Sequence, residues 1–261
     1  MNMIQVRNLT RRFDGVLAVD SLDVDVAAGE ILGLVGINGA GKTTFLRMLS
    51  GILPPTSGSI VIAGRPLAAD AVEARKHLAF VPDTPMLFDA LTVHEHLLFI
   101  ATLYRVSQWM EASEELLETF EMADRRHSTA GSLSRGMRQK LAICCAFLHE
   151  PDALLLDEPL TGLDPPGRRL MSEAIRRRAE AGSAVIVSSH QLEFVERLSD
   201  RFLIIHEGRR RLEGTLAEIH EVLGREGGEA SLEDLFLRAT DAERDPPLPE
   251  RPGGRPAADE H

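Results

Sequence analysis

The sequence predicts an α/β fold with a mainly parallel central sheet, an antiparallel β subdomain ahead of it and an inserted helical block. Three observations carry that expectation. The aliphatic runs Ile31-Leu32-Gly33-Leu34-Val35, Ala153-Leu154-Leu155-Leu156 and Ala184-Val185-Ile186-Val187 have the length and content of strands buried on both faces. The first run enters a glycine-rich turn and then a helix-like stretch, Phe45-Leu46-Arg47-Met48-Leu49. From about 84 to 150 the pattern turns helical, while the residues before Ile31 alternate with period two.

Taken in order, Ile4 to Leu9 and Leu22 to Val26 alternate as half-exposed antiparallel strands do, with a turn expected over Arg11-Arg12-Phe13-Asp14-Gly15. Phe13 serves either as a strand-end residue or as a flat face for a nucleotide base; spacing alone favours neither. A turn at Pro54 to Gly58 precedes a strand at Ser59 to Ile62, then a turn at Gly64 to Pro66. Residues 70–78 read as helix and Ala79-Phe80-Val81 as strand, broken by Pro82 to Pro85. Thr92-Val93-His94-Glu95 is a capping box opening a helix through Tyr104, and a second helix is expected over about 107–122. A third opens at Ser132 to Gln139 and runs to His149. After Asp164 as N-cap and Pro165 at the first helical position, a closing hairpin is expected around Glu207-Gly208, its Arg209-Arg210-Arg211 forming a solvated face. Ser231 to Asp234 caps a last helix through Arg238. Residues 241–261, rich in proline, glycine and charge, are expected to be a disordered acidic tail.

Composition narrows the function. A net charge of −11 over 261 residues disfavours nucleic acid as a partner. No run reaches the roughly 18 to 20 apolar residues that cross a bilayer, so membrane association would come through another protein. Cys144 and Cys145 are adjacent, about 100° apart on a helix, which suits buried small residues in a reducing compartment. His94, His96 and His127 have no carboxylate or cysteine cluster to complete a metal site and read as solvated or capping residues.

The strongest chemical signal is Gly36-Ile37-Asn38-Gly39-Ala40-Gly41-Lys42-Thr43-Thr44, a full G-x-x-x-x-G-K-[ST] match between strand and helix. Glycines let backbone N–H groups wrap phosphate oxygens, and the helix N-terminus adds partial positive charge. Lys42 would reach the β- and γ-phosphates and Thr43 would offer its hydroxyl to Mg²⁺. The chain is therefore expected to bind a nucleoside triphosphate. The second signal is Asp157-Glu158 at the end of an apolar strand, where α/β sheets hold ligands. Adjacent carboxylates on a strand face opposite ways, so Asp157 suits Mg²⁺ and Glu158 suits orienting and deprotonating water. His190 ends a third core strand and is placed to hydrogen-bond a terminal phosphate. The turn at Ser134 and Gly136 offers a hydroxyl and free N–H groups to an anion.

In this order the motifs resemble those of the ATP-binding subunits of ABC transporters, over about residues 1–240. Gly36 to Thr44 is similar to the Walker A loop, Leu133-Ser134-Arg135-Gly136-Met137 to the signature motif, and Leu154 to Glu158 to Walker B. Leu163-Asp164 matches the D-loop and His190 the switch histidine, while Phe13 falls where that family places its adenine-stacking aromatic. Two motifs depart from the family pattern: Asp83 stands at the Q-loop glutamine, and the signature carries Arg135 and Met137. Asp83 is shorter than glutamine and, when ionised, cannot donate a hydrogen bond, yet can hold Mg²⁺ through water. The resemblance implies a P-loop NTPase core that binds and hydrolyses ATP with Mg²⁺. Phe13, Asn38, Gly39, Ala40, Gly41, Thr44, Asp83, Ser134, Gly136 and Asp164 would touch nucleotide, and Glu158, His190 and Lys42 would be catalytic. It further implies two such chains, in a homodimer or heterodimer, sandwiching ATP between Walker A of one and the signature of the other. A separate membrane permease would bind the helical subdomain. The ending Ser231 to Phe236 and Met137 resemble exporter-type members, with the chain on the cytoplasmic face of the membrane.

Overall fold

A computed structural model describes residues 1–68, 71–223 and 231–241. The chain opens with β1 (Asn2–Phe13) and β2 (Val16–Ala27), paired antiparallel, then β3 (Ile31–Val35) and α1 (Lys42–Leu49). It continues through β4 (Ser57–Ile62), β5 (Arg65–Pro66), α2 (Val72–Lys76) and β6 (Leu78–Val81). The helical stretch is α3 (Val93–Tyr104), α4 (Trp109–Thr119) and α5 (Arg135–Phe147), followed by β7 (Ala153–Asp157), α6 (Pro165–Glu180) and β8 (Ala184–Ser188). Then come α7 (Leu192–Leu198), the hairpin β9 (Arg201–His206) and β10 (Arg209–Gly214), α8 (Leu216–Val222) and α9 (Leu232–Asp241).

The strands form two sheets. One is antiparallel, in the order β2-β1-β4-β5; the other runs β10-β9-β3-β8-β7-β6, parallel except for β10. β3, β7 and β8 are buried along their whole length, which is why they carry no polar alternation. Helices α3 to α6 cover one face of the parallel sheet, while the antiparallel sheet and α1 cover the other. Register brings the strand ends level: Leu34 lies opposite Ser188, Ser188 opposite Asp157, and Val81 opposite Leu156. The loops beginning at Gly36, Pro82, Glu158 and Ser189 therefore leave from one edge, the edge where parallel sheets hold ligands. Close packing of α7 on β3 depends on Gly33, where an added Cβ would stand 2.4 Å from Val195 Cγ1.

Several elements differ from expectation. β1 continues to Phe13 and the turn is only Asp14-Gly15, because Arg11, Arg12 and Phe13 find partners in β2. The second helix is α4, ending at Thr119; Phe120 and Met122 lie beyond it yet are fully buried. The third begins after Ser134, whose extended backbone makes it the cap, and ends at Phe147. The arginines of β10 are not merely solvated, since Arg209 pairs with Asp20 and Arg210 with Glu213. The last helix extends to Asp241, and the remainder of the expected tail, 242–261, lies outside the described residues.

Candidate functional site

The loop from β3 to α1 takes its shape from its neighbours. A Cβ on Gly36 would meet the carbonyl oxygen of Ile205 at 2.6 Å; one on Gly41, at φ +104°, would meet that of Ala18 at 2.4 Å. Side chains are excluded at both positions, so the loop backbone can sit against β9 and β2. Asn38 and Gly39 are exposed at the crest and Ala40 is buried beneath it. Gly41 caps α1 with no side-chain bond, which leaves the first-turn N–H groups to an outside acceptor. Lys42 folds back into the loop: its Nζ donates to Gly36 O at 2.6 Å and to Ile37 O at 3.1 Å. Burial lowers the Lys42 pKa, while Glu158 and Asp157 pull it back up.

Opposite the loop, the ends of β7 and β8 divide the two carboxylates. Ser188 Oγ donates to Asp157 Oδ1 at 2.5 Å, and Asp157 is only 2% exposed. Glu158 leaves the strand with φ +51°, a left-handed backbone that redirects its side chain. Its carboxylate accepts from Ser189 Oγ (3.0 Å) and from the His190 N–H (2.7 Å), and lies 2.8 Å from His190 Nδ1. With Nδ1 bound to the carboxylate, Nε2 of the exposed imidazole is left for another partner. Ser188 and Ser189 were not singled out by sequence reasoning; the Ser-Ser-His run closing a buried strand was their only signal.

A groove of about 740 Å³ runs from this edge between the parallel sheet and the helices, lined by Phe13, Thr43, Thr44, Asp83, Asp157 and, further along, Met86. Phe13 stands at its end, 39% exposed, with the Arg11 guanidinium 4.4 Å from its ring centroid. Thr43, Asp157 and Asp83 present only hard oxygen donors, a set that fits Mg²⁺ completed by phosphates and water. No cluster of three or more metal-binding side chains occurs among the described residues. His96 is spoken for: it accepts from the Phe88 N–H at 3.1 Å, and its Nδ1 lies 2.8 Å from Thr92 O.

Ser134, Gly136 and Asp164 form a second group, none of them lining that groove. Ser134 is exposed and caps α5, its Oγ accepting from the Met137 N–H at 3.3 Å. Gly136 packs so tightly on the following loop that a Cβ would lie 2.6 Å from Gly162 O. Asp164 caps α6 by accepting from the Gly167 N–H at 3.0 Å. The end of the phosphate loop and the Asp157 carboxylate of β7 thus face one groove, away from the turn at Ser134. The turn at Ser134 is exposed at the start of α5, as a surface offered to an outside group must be.

The profile of the ABC transporter family matches residues 19–161. Over 244 residues, 92% of this chain and 97% of the relative, the sequence is 36% identical to the ABC-type transporter ATP-binding protein EcsA of Bacillus subtilis. It is 39% identical over 213 residues, 81% of this chain and 70% of the relative, to the Nod factor export ATP-binding protein I of Burkholderia lata. A solved structure of an ATP-binding subunit of an ABC transporter superposes with a TM-score of 0.85 at 35% identity. That match covers 91% of this chain and 99% of the other.

Proposed function

Since the chain belongs to the ABC transporter family as an ATP-binding subunit, we propose that it hydrolyses ATP to drive export through a separate membrane permease. The observation that carries the proposal is the Glu158 carboxylate, held by Ser189 and His190 beside the loop that encloses Lys42. In this reading residues 1–240 act as one ATP-binding domain. Phe13 stacks on adenine, while the backbone from Gly36 to Gly41 and the Lys42 ammonium hold the phosphates, with Thr44 beside them. To bind, Lys42 exchanges the carbonyl oxygens of Gly36 and Ile37 for phosphate oxygens. Thr43 and Asp157, with Asp83 through water, would hold Mg²⁺, which neutralises phosphate charge. Glu158 accepts the proton of a water whose oxygen attacks the γ-phosphorus. The bond from that phosphorus to the β–γ bridging oxygen breaks, and ADP and phosphate leave. His190, its Nδ1 held by the Glu158 carboxylate, would offer Nε2 to the γ-phosphate.

The exposure of Ser134 and the half-burial of Gly136 support a two-copy site, in which this turn closes over the triphosphate of a second copy with Asp164 nearby. Export is supported by the similarity to the Nod factor export ATP-binding protein I of Burkholderia lata. The groove supplies the place for a permease, since Met86, Phe88 and Phe99 remain exposed along it at 94%, 58% and 47%. No helix among the described residues is long and apolar enough to cross a membrane. In this reading the permease holds the chain at the cytoplasmic face of the membrane. Purification from native membranes tests the whole reading. A membrane-spanning protein should co-purify, and its presence should raise Mg²⁺-dependent ATP turnover. A preparation from which no membrane-spanning protein can be recovered would sink the transport role, and no turnover in the complex would sink the catalytic one.

A further inference from the structure

Two of the residues at which this chain departs from its family pattern, Asp83 and Arg135, pair with each other. Asp83, in the loop after β6, pairs through Oδ1 with an Arg135 terminal nitrogen at 3.5 Å, across 52 residues of sequence. The Arg135 stem lies over Gly162, where an added Cβ would stand 3.1 Å from Arg135 Cγ; Gly162 has φ +80°. One side chain therefore joins three segments: the first turn of α5, the segment before Asp164, and the loop whose Asp83 lines the groove with Thr43 and Asp157. Both charged groups are open to solvent, at 62% and 46%, so the pair is not locked by burial.

We propose that Arg135 is a positioning residue for Asp83, an exposed guanidinium shared between Asp83 of its own chain and the triphosphate bound by a second copy. The proposal rests on the two-copy reading given above. Arg135 stands between Ser134 and Gly136, on the turn that would face that triphosphate. A carboxylate offers one negative charge and a triphosphate several, so the guanidinium transfers when the second copy arrives. Its departure releases Asp83 into the groove beside Thr43 and Asp157. Closure over one ATP thereby frees a groove residue at the other, and the message crosses the chain through a single cation. A glutamine at position 83 would hold Arg135 without charge, and a glycine at 135 would hold nothing. The departures at 83 and 135 make sense only together.

A double-mutant cycle in the Glu158→Gln protein tests this by light scattering, reading the Mg-ATP concentration at which half the protein is dimeric. Each variant's own nucleotide affinity, measured with a fluorescent ATP analogue on dilute protein, is divided out. Asp83→Asn should lower the half-dimerisation concentration roughly two- to five-fold, the range set by exposed ion pairs, because Arg135 no longer has to leave a partner. Arg135→Gln should raise it at least as much, and Arg135→Lys should recover most of that loss. The double variant should behave as Arg135→Gln alone. Equal effects of Asp83→Asn with and without Arg135, or no effect at all, would overturn the proposal while leaving the two-copy site intact. A Glu158→Gln parent that stays monomeric in Mg-ATP would overturn both.

Discussion

At position 158 the backbone and the chemistry make separate demands. The left-handed φ of +51° suits glycine or asparagine better than most side chains, yet the carboxylate is held by three hydrogen-bond donors. Glu158→Gln keeps shape and backbone and removes the base. ATP should still bind while turnover falls about 10²-fold or more, checked by single-turnover phosphate release. Lys42→Ala acts earlier, on binding. Losing charged hydrogen bonds to phosphate should weaken ATP affinity about tenfold or more, measured by equilibrium titration. Lys42 and Glu158 were legible because their motifs are local. Ser188, Ser189 and the Arg135–Asp83 pair were not, since each depends on which strand or loop the fold sets opposite, and that information is spread over 31 to 52 residues.

Among the elements, α3 was legible to its bounds. Thr92 and Glu95 exchange both capping-box hydrogen bonds, and the left-handed Arg105 closes the helix. Thr92→Ala should cost about 1 kcal/mol, seen as a lowered Tm. Past the end of α5, His149 stacks on Tyr104 of α3 with ring centroids 3.8 Å apart, and burial pushes its pKa down to about 4. The unfolded imidazole titrates near 6.5. Stability is therefore complete above pH 6.5 and falls as the pH drops toward 4, by up to roughly 3 kcal/mol for this group. His149→Phe should flatten that part of the Tm–pH curve. Helices α7 and α8 were not read at all. Each spans seven residues, too short for periodicity to show; α8 did carry a signal in its Thr215–Glu218 capping box, while α7 has no side-chain cap.

For the molecule as a whole, the aliphatic runs made the parallel sheet readable, whereas strand order was not, because it depends on long-range pairing. The two-copy arrangement is testable at this scale. Ser134→Glu in the Glu158→Gln protein would place a carboxylate against the second copy's triphosphate, and light scattering should then find only monomer in Mg-ATP. Away from the nucleotide edge, Arg201 bonds Glu30, Glu213 and the Asp25 carbonyl oxygen at once, and Arg209 bonds Asp20. These contacts rivet β2 to β9 and β10, so the two sheets travel as a single anvil. The α3–α5 lobe packs on that anvil directly, Leu141 and Phe147 of α5 sharing one buried cluster with Val81 of β6 and Leu156 of β7, and the Asp83 loop continues from β6. The lobe also carries the exposed Phe99, so a permease gripping that surface would load the sheet through α5 and the Asp83 loop together.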